Sequence, residues 1–136
     1  MKHAIVLSTG AYLPPRILTN RDLEAMVETN DEWIIERTGI KQRHIAEGEL
    51  TSDLAAKAAN DALARAKVSA SDVDLLILAT STPDDTLPAA ATKVQHKIGM
   101  TGGAAFDVNA ACSGFIYGLT IANSMIAAGQ AKRVLV

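Results

Sequence analysis

Cys112 is the only cysteine in a chain of 136 residues. It lies in A-F-D-V-N-A-A-C-S-G-F-I-Y-G-L, residues 105–119, after an apolar run and before small residues and a glycine. The run reads as a strand and the segment after Cys112 as a helix. The thiol therefore falls at or just before a helix N-terminus, where unpaired backbone N–H groups and the helix dipole favour negative charge. A thiolate is a nucleophile. The same N–H groups can help hold the oxyanion formed when a thioester carbonyl is attacked. Ala110, Ala111, Ser113 and Gly114 are small and leave room for a substrate to reach the sulfur. The competing reading is an inert, buried thiol that packs as a small hydrophobe. The residues alone leave both readings open.

A nucleophilic thiol needs an activating partner. His3, His44 and His96 are the candidates by residue type. His3 is at the terminus, His44 reads as an exposed edge residue of a charged strand, and His96 falls on the solvated face of a helix. Spacing gives none of them a path to Cys112. No His, Cys, Asp and Glu cluster has metal-ligand spacing, so no metal site is expected. Gly99, Gly102 and Gly103 read as a helix end and a turn, not as a dinucleotide fingerprint.

The elements that must position Cys112 alternate. Ala4 to Ser8 reads as a first short strand, followed by a loop at Leu13-Pro14-Pro15. Thr19 or Asn20 can cap a helix over Arg21 to Glu28. Asn30 can cap a second, Asp31 to Thr38, with acids in its first turn, Arg37 in its last and Gly39 beyond it. Ile40 to Ala46 reads as extended, with a turn at Glu47-Gly48-Glu49. The spacing predicts a helix over Ser52 to Lys67 with Leu54, Ala55, Ala58, Ala59, Ala62, Leu63 and Ala66 on its apolar face. Ser69 and Asp72 form a candidate capping box. Leu75 to Ala79 reads as a central strand covered on both faces.

A polar loop spans Ser81 to Thr86. Pro88 suits the first turn of a helix ending at Gly99. Ala104 to Val108 reads as a second buried strand. Ser113 to Ala128 reads as a helix with Phe115, Ile116, Leu119, Ile121, Met125 and Ile126 mostly inward. Alternation at this spacing indicates an α/β layered fold with a largely parallel sheet. Arg133 to Val136 has the composition of an interior strand with no turn or polar tail after it. The expectation is a front portion of a longer protein, its last strand joining a larger sheet.

Composition narrows the classes. Hydrophobic residues make up 49% and the formal net charge is −2. The apolar share suffices for a core of one ordinary domain, and the charge gives no global case for nucleic acid or an anionic membrane. One cysteine forms no internal disulfide. No window approaches the roughly 20 apolar residues that span a bilayer, and the N-terminus lacks a signal-peptide core. A soluble cytoplasmic protein without membrane insertion is the expectation.

The segment D-V-N-A-A-C-S-G-F-I-Y-G-L closely resembles the active-site motif of the β-ketoacyl-acyl-carrier-protein synthase III family, the initiating condensing enzymes of bacterial fatty acid synthesis. T-G-A-Y-L-P-P (9–15), T-N-D-E-W-I-I-E-R-T-G-I-K-Q-R-H-I-A (29–46) and L-P-A-A-A-T-K-V-Q-H-K-I-G (87–99) resemble the same family. The resemblance covers essentially the whole chain, in family order. It implies a thiolase-like fold of αβαβα layers built from two α/β halves. Residues 1–136 match most of the first, N-terminal half, truncated within its sheet, with the second half absent.

The resemblance also implies a reaction. Cys112 would take the acyl group of a short acyl-CoA. Malonyl-acyl carrier protein would lose CO₂, and its carbanion would attack the acyl group to give a 3-oxoacyl-acyl carrier protein. A His and an Asn that support decarboxylation in the family belong to the second half and have no counterpart here, so the isolated chain is not expected to complete the reaction. Acyl-CoA is a substrate, and no cofactor is implied.

Trp33 matches a tryptophan that packs on the adenine of CoA, Arg37 the arginine on the other side of that base, and Thr29 a residue lining the CoA entrance. Without the resemblance, Trp33 reads as an anchor of its short helix and Arg37 as a helix-end cation. Leu87 matches a position that reaches across a homodimer to the end of the partner's acyl pocket. Two alternatives remain: a thiolase-like acyltransferase of secondary metabolism, and a non-catalytic fragment that binds CoA or dimerises.

Overall fold

The computed structural model describes residues 3–136. They form two compact units, residues 13–49 and residues 3–12 together with 50–136.

In the smaller unit β1 (Arg16–Thr19) pairs antiparallel with β2 (Gln42–Ile45), Arg16 opposite Ile45 and Thr19 opposite Gln42. Thr19 both ends the strand and caps α1 (Asn20–Glu24). Its hydroxyl accepts the Asp22 N–H at 3.2 Å, while the Asp22 carboxylate accepts the Thr19 N–H at 2.8 Å. Two otherwise orphaned donors are satisfied reciprocally. The expected helix over Arg21 to Glu28 stops early, at Glu24. Met26 and Val27 are exposed, so no burial extends it. The second helix, α2 (Asp31–Thr38), matches its expected bounds. Asn30 Oδ1 accepts the Trp33 N–H at 2.8 Å, and Gly39 closes the helix at φ 72°.

The hub of this unit is Asn20, 1% exposed. Its Nδ2 donates to Asp31 Oδ1 at 2.7 Å and to the Ile40 carbonyl at 2.8 Å. Its Oδ1 accepts from Arg43 Nη1 at 2.9 Å. A buried amide with its donors and acceptor engaged fixes α2 to the strand that follows it.

The larger unit is a parallel sheet in the order β4-β3-β5. β3 is Leu75–Ala79, β4 is Ala104–Val108 and β5 is Val134–Leu135. Leu76 faces α3 (Thr51–Ala66) and α4 (Ala90–Lys97), among Ala56, Ala59, Ala91 and Val94. Leu75 and Ile77 face the opposite way, toward Ala122 of α5 (Gly114–Ala127). Helices on both faces explain why β3 is apolar without alternation.

Five expectations are corrected here. Ala4 to Ser8 forms no strand. The Ala4 N–H goes to Asn123 Oδ1 of α5 at 3.0 Å and the Ser8 hydroxyl to the Ala62 carbonyl of α3 at 2.7 Å, so two helices hold this segment and no ladder does. α4 starts at Ala90, and Pro88 lies before its cap residue, Ala89. The buried residues of α3 are Ser52, Ala56 and Ala59. Ala55, Ala59 and Leu63 of the expected stripe do pack on the core, Ala56 joins them there, and Ser52 is buried as well.

His44 is half-buried, with Nδ1 2.6 Å from the Pro14 carbonyl, and is no exposed edge residue. On α5 the expected inward face holds only in part: Ile121 and Met125 pack on the core, but Phe115, Ile116 and Leu119 are exposed, and Gly114, Gly118 and Ala122 are buried. A Cβ on Gly118 would stand 2.7 Å from Val136 Cγ1. The helix therefore approaches the sheet through its small residues, which turns Phe115, Ile116 and Leu119 away.

Carboxylates fasten the sheet and its helices. Asp74 Oδ2 accepts the N–H groups of Lys132 and Arg133 at 2.7 and 2.8 Å. These bonds, Arg133's first, hold its carboxyl below the ordinary value of 3.8. Asp84 has a side chain 1% exposed. Burial pushes its carboxyl up, but its contacts with Ser52 and the Lys93 ammonium, 3.6 Å from Oδ2, more than reverse this and leave it lowered. Lys93 also pairs with Asp85.

Asp53 is lowered chiefly by Lys97, whose Nζ lies 2.5 Å from Oδ1 and 2.7 Å from Ser52 Oγ. Groups with depressed folded pKa values contribute stability above their unfolded pKa, and that contribution is lost as pH falls through the folded value. The melting temperature should therefore be level at neutral pH and fall once pH drops below 3.8, the ordinary value for these groups. Asp74→Asn should make that fall shallower. Thermal melts across acid pH check both.

Candidate active site

The polypeptide leaves β4 at Val108 and turns into α5 within six residues, reaching Gly114. Ala111 sits at φ 44°, in the left-handed region. An alanine there costs about 1 kcal/mol, and such strain persists only where the surroundings impose it. Ala111–Ser113 forms a 3-10 turn, closed by the Ser113 N–H on the Ala110 carbonyl at 3.0 Å. A Cβ on Gly114 would meet the Ala79 Cβ at 3.2 Å. Glycine therefore lets the start of α5 seat against the carboxyl end of β3. The result is an exposed Cys112 thiol at the carboxyl ends of two parallel strands, the edge of an α/β sheet where ligands bind.

The described residues leave Cys112 exposed, so the core formed by this portion does not enclose it. Among the described residues, no hydrogen bond reaches its sulfur.

The segment from Thr80 to Ala89 borders the same edge. Thr80 N–H bonds the Val108 carbonyl at 3.1 Å, and Ser81 Oγ bonds Asn109 Oδ1 at 2.9 Å. Further along, Thr51 Oγ1 donates to the Thr82 carbonyl at 2.6 Å, and Asp84 Oδ1 accepts the Ser52 N–H at 2.9 Å. Leu87 stands out from this tethered loop, 84% exposed.

The other residues singled out in the sequence belong to the smaller unit. Thr29 and Trp33, with Glu28 and Asn30, line one open depression of about 250 Å³ at the start of α2. Trp33 is half exposed, and the Arg37 guanidinium lies 5.5 Å from its ring centre, one turn along the helix. This is a cation–π contact. A base inserted between the two groups needs van der Waals contact on each face, a separation of about 7 Å. Arg37 must therefore swing outward for the pair to clasp a purine. The structure places Trp33 and Arg37 on α2 with Thr29 just ahead of its cap, and Cys112 and the loop that carries Leu87 in the other unit.

Sequence reasoning missed Asp107. Its two carboxylate oxygens accept the N–H groups of Ala90 and Ala91 at 2.8 and 2.7 Å, capping α4 from the neighbouring strand. The signal was the cap position itself: Ala89 has no side-chain acceptor. Asp84 falls in the polar loop of Ser81 to Thr86, and its buried carboxylate has no local signature.

Residues 106–136 match the family model described as 3-oxoacyl-(acyl-carrier-protein) synthase III. A β-ketoacyl-acyl-carrier-protein synthase III of Rhodospirillum centenum is 63% identical over 98% of this chain, which covers 42% of that relative. The crystal structure of 3-oxoacyl-acyl-carrier-protein synthase III from Aquifex aeolicus superposes with a TM-score of 0.91 at 52% identity, over 94% of this chain and 42% of that one. The priming β-ketosynthase of a polyketide biosynthetic pathway superposes with a TM-score of 0.89 at 33% identity, over 93% of this chain and 38% of that one. The α/β architecture is thus the thiolase-like one. The chain spans about two-fifths of the length of the curated relatives it matches. In sequence and in fold the chain is similar, over that two-fifths of their length, to the β-ketoacyl-acyl-carrier-protein synthases III.

Proposed function

We propose that this chain carries the nucleophile of an initiating condensing enzyme of bacterial type II fatty acid synthesis, and that Cys112 is the residue acylated. The observation that carries the reading is the exposed thiol on a strained turn at the carboxyl ends of β3 and β4. The sulfur attacks the carbonyl of a short acyl-CoA, the tetrahedral oxyanion collapses, and CoA leaves with a proton. Malonyl-acyl carrier protein then loses CO₂. The carbanion that remains attacks the thioester on Cys112, freeing the thiol and giving a 3-oxoacyl-acyl carrier protein. No bound cofactor is needed, because acyl-CoA enters as substrate.

Thr29, Trp33 and Arg37 hold the CoA end in this reading. The half-exposed indole supports it, since an aromatic face and a guanidinium plane both stack on a purine. Leu87 bounds the acyl pocket of a partner subunit in a homodimer, and its outward position supports that role. The decarboxylation partners lie in a second α/β half. The exposed apolar face of α5, with Phe115 at 56% and Ile116 at 59% exposure, supports a covering layer there. The setting is the cytoplasm, where acyl-CoA and acyl carrier protein meet. Among the described residues no helix is long and apolar enough to cross a membrane.

A second reading, priming of a polyketide pathway by the same acyl transfer, is favoured by the likeness to the priming β-ketosynthase. Acetyl-CoA incubated with the intact polypeptide should release CoA and leave an acetyl group on the Cys112 peptide, read by intact mass and peptide mapping. No adduct on Cys112 would overturn the proposal. Release of product only with a carrier protein from a polyketide pathway would favour the second reading.

A further inference from the structure

We propose that Asp107 is a positioning residue, setting the Leu87 loop and the Cys112 turn in fixed relation. The inference rests on the acyl-transfer reading above. Asp107 sits opposite Leu78 in the β3–β4 register, in a strand whose other members are Ala104, Ala105, Phe106 and Val108. A carboxylate there needs a reason. It accepts the first two N–H groups of α4, Ala90 and Ala91. The usual place for that acceptor is the helix's own cap residue, and here that residue is Ala89. The cap has been moved onto the strand that leads to the nucleophile.

Two more bonds join the same short stretch. The Val108 carbonyl accepts the Thr80 N–H, and Asn109 Oδ1 accepts the Ser81 hydroxyl. Residues 107–109 therefore hold both ends of the segment 80–91, and Cys112 follows three residues after Asn109. The loop that carries Leu87 and the turn that carries the thiol share one anchor. In the proposed homodimer, displacing that anchor shifts both the Cys112 turn of its own subunit and the Leu87 that bounds the partner subunit's acyl pocket. Misplacement of reacting groups by about 1 Å costs about 10²-fold in rate.

The test uses the intact polypeptide in four forms: parent, Asp107→Asn, Asp107→Asn with Ala89→Asp, and Asp74→Asn. Asp74 is the control, since it also takes two backbone N–H groups but at the amino ends of the strands. Asp107→Asn should slow acylation of Cys112 by acetyl-CoA about tenfold, with KM for acyl-CoA unchanged and the octanoyl-to-acetyl ratio altered. Asp74→Asn should keep the parent rate at a temperature where it remains folded. Ala89→Asp should restore the melting temperature of the double variant without restoring its rate.

Rate loss in Asp74→Asn equal to that in Asp107→Asn, or recovery of rate together with stability in the double variant, would overturn the proposal. If the parent is not acylated at all, the acyl-transfer reading fails separately. Iodoacetamide alkylation of Cys112 then reads the positioning: a rate changed in Asp107→Asn and unrestored by Ala89→Asp supports it, and an unchanged rate overturns it.

Discussion

On the acyl-transfer proposal, Cys112→Ala is expected to abolish acylation by acyl-CoA, lowering adduct formation by at least about 10³-fold. The substitution removes the one atom that can form the thioester, and the chain has no second cysteine to replace it. The fold should be indifferent. The thiol is exposed and alanine is well suited to a helix start, so stability should stay within about 0.5 kcal/mol of the parent. Intact-mass labelling with acetyl-CoA, paired with urea unfolding, separates loss of chemistry from loss of fold. Persistent labelling in Cys112→Ala would move the nucleophile elsewhere.

Asn20→Leu should destabilise the smaller unit by on the order of 3 kcal/mol. Leucine fills a similar volume, so a cavity is not the cause. The loss comes from three stranded partners: the Asp31 carboxylate, the Ile40 carbonyl and the Arg43 guanidinium. Each meets the buried amide from a partly exposed position, and the side of each that faces the amide loses its match, which costs more than the bond itself contributes. Because Asp31 opens α2, the damage should spread to Trp33 and Arg37. Urea unfolding followed by Trp33 fluorescence, the only tryptophan signal in the chain, reports on this unit. An unfolding midpoint unmoved by the substitution would show that the hub contributes nothing.

What the sequence made legible was local. Asn30, the acids after it, Arg37 and Gly39 lie within ten residues, and together they mark α2 at both ends. β3 was legible because five apolar residues in a row suit only a strand covered on both sides. The strand-to-helix placement of Cys112 was legible for the same reason. The orientation of α5 was not, because hydrophobicity points Phe115, Ile116 and Leu119 inward. Distance of approach decided it instead, and the spacing Gly114, Gly118, Ala122 carried that information. Asp107 and Asn20 were opaque because their partners lie 11 to 23 residues away along the chain. A polar residue announces a need for partners, not where they are.

The clamp at Asp74 has a consequence for the order of assembly during synthesis. The layer of α3 and α4 packs on Leu76 and Ala105, and of its strand residues only Leu135 is still to come once β4 has emerged. The layer beneath α5 differs. Its helix seats against Val136 through Gly118, and its core includes Ala131 and Val134. Asp74 receives Lys132 and Arg133 from 58 and 59 residues downstream. Closing so long a loop draws no reward until its far end arrives. On the ribosome, one face of the sheet can be mostly covered while the other still waits, leaving the bare side of β3, Leu75 and Ile77, for chaperones or for misassembly to find.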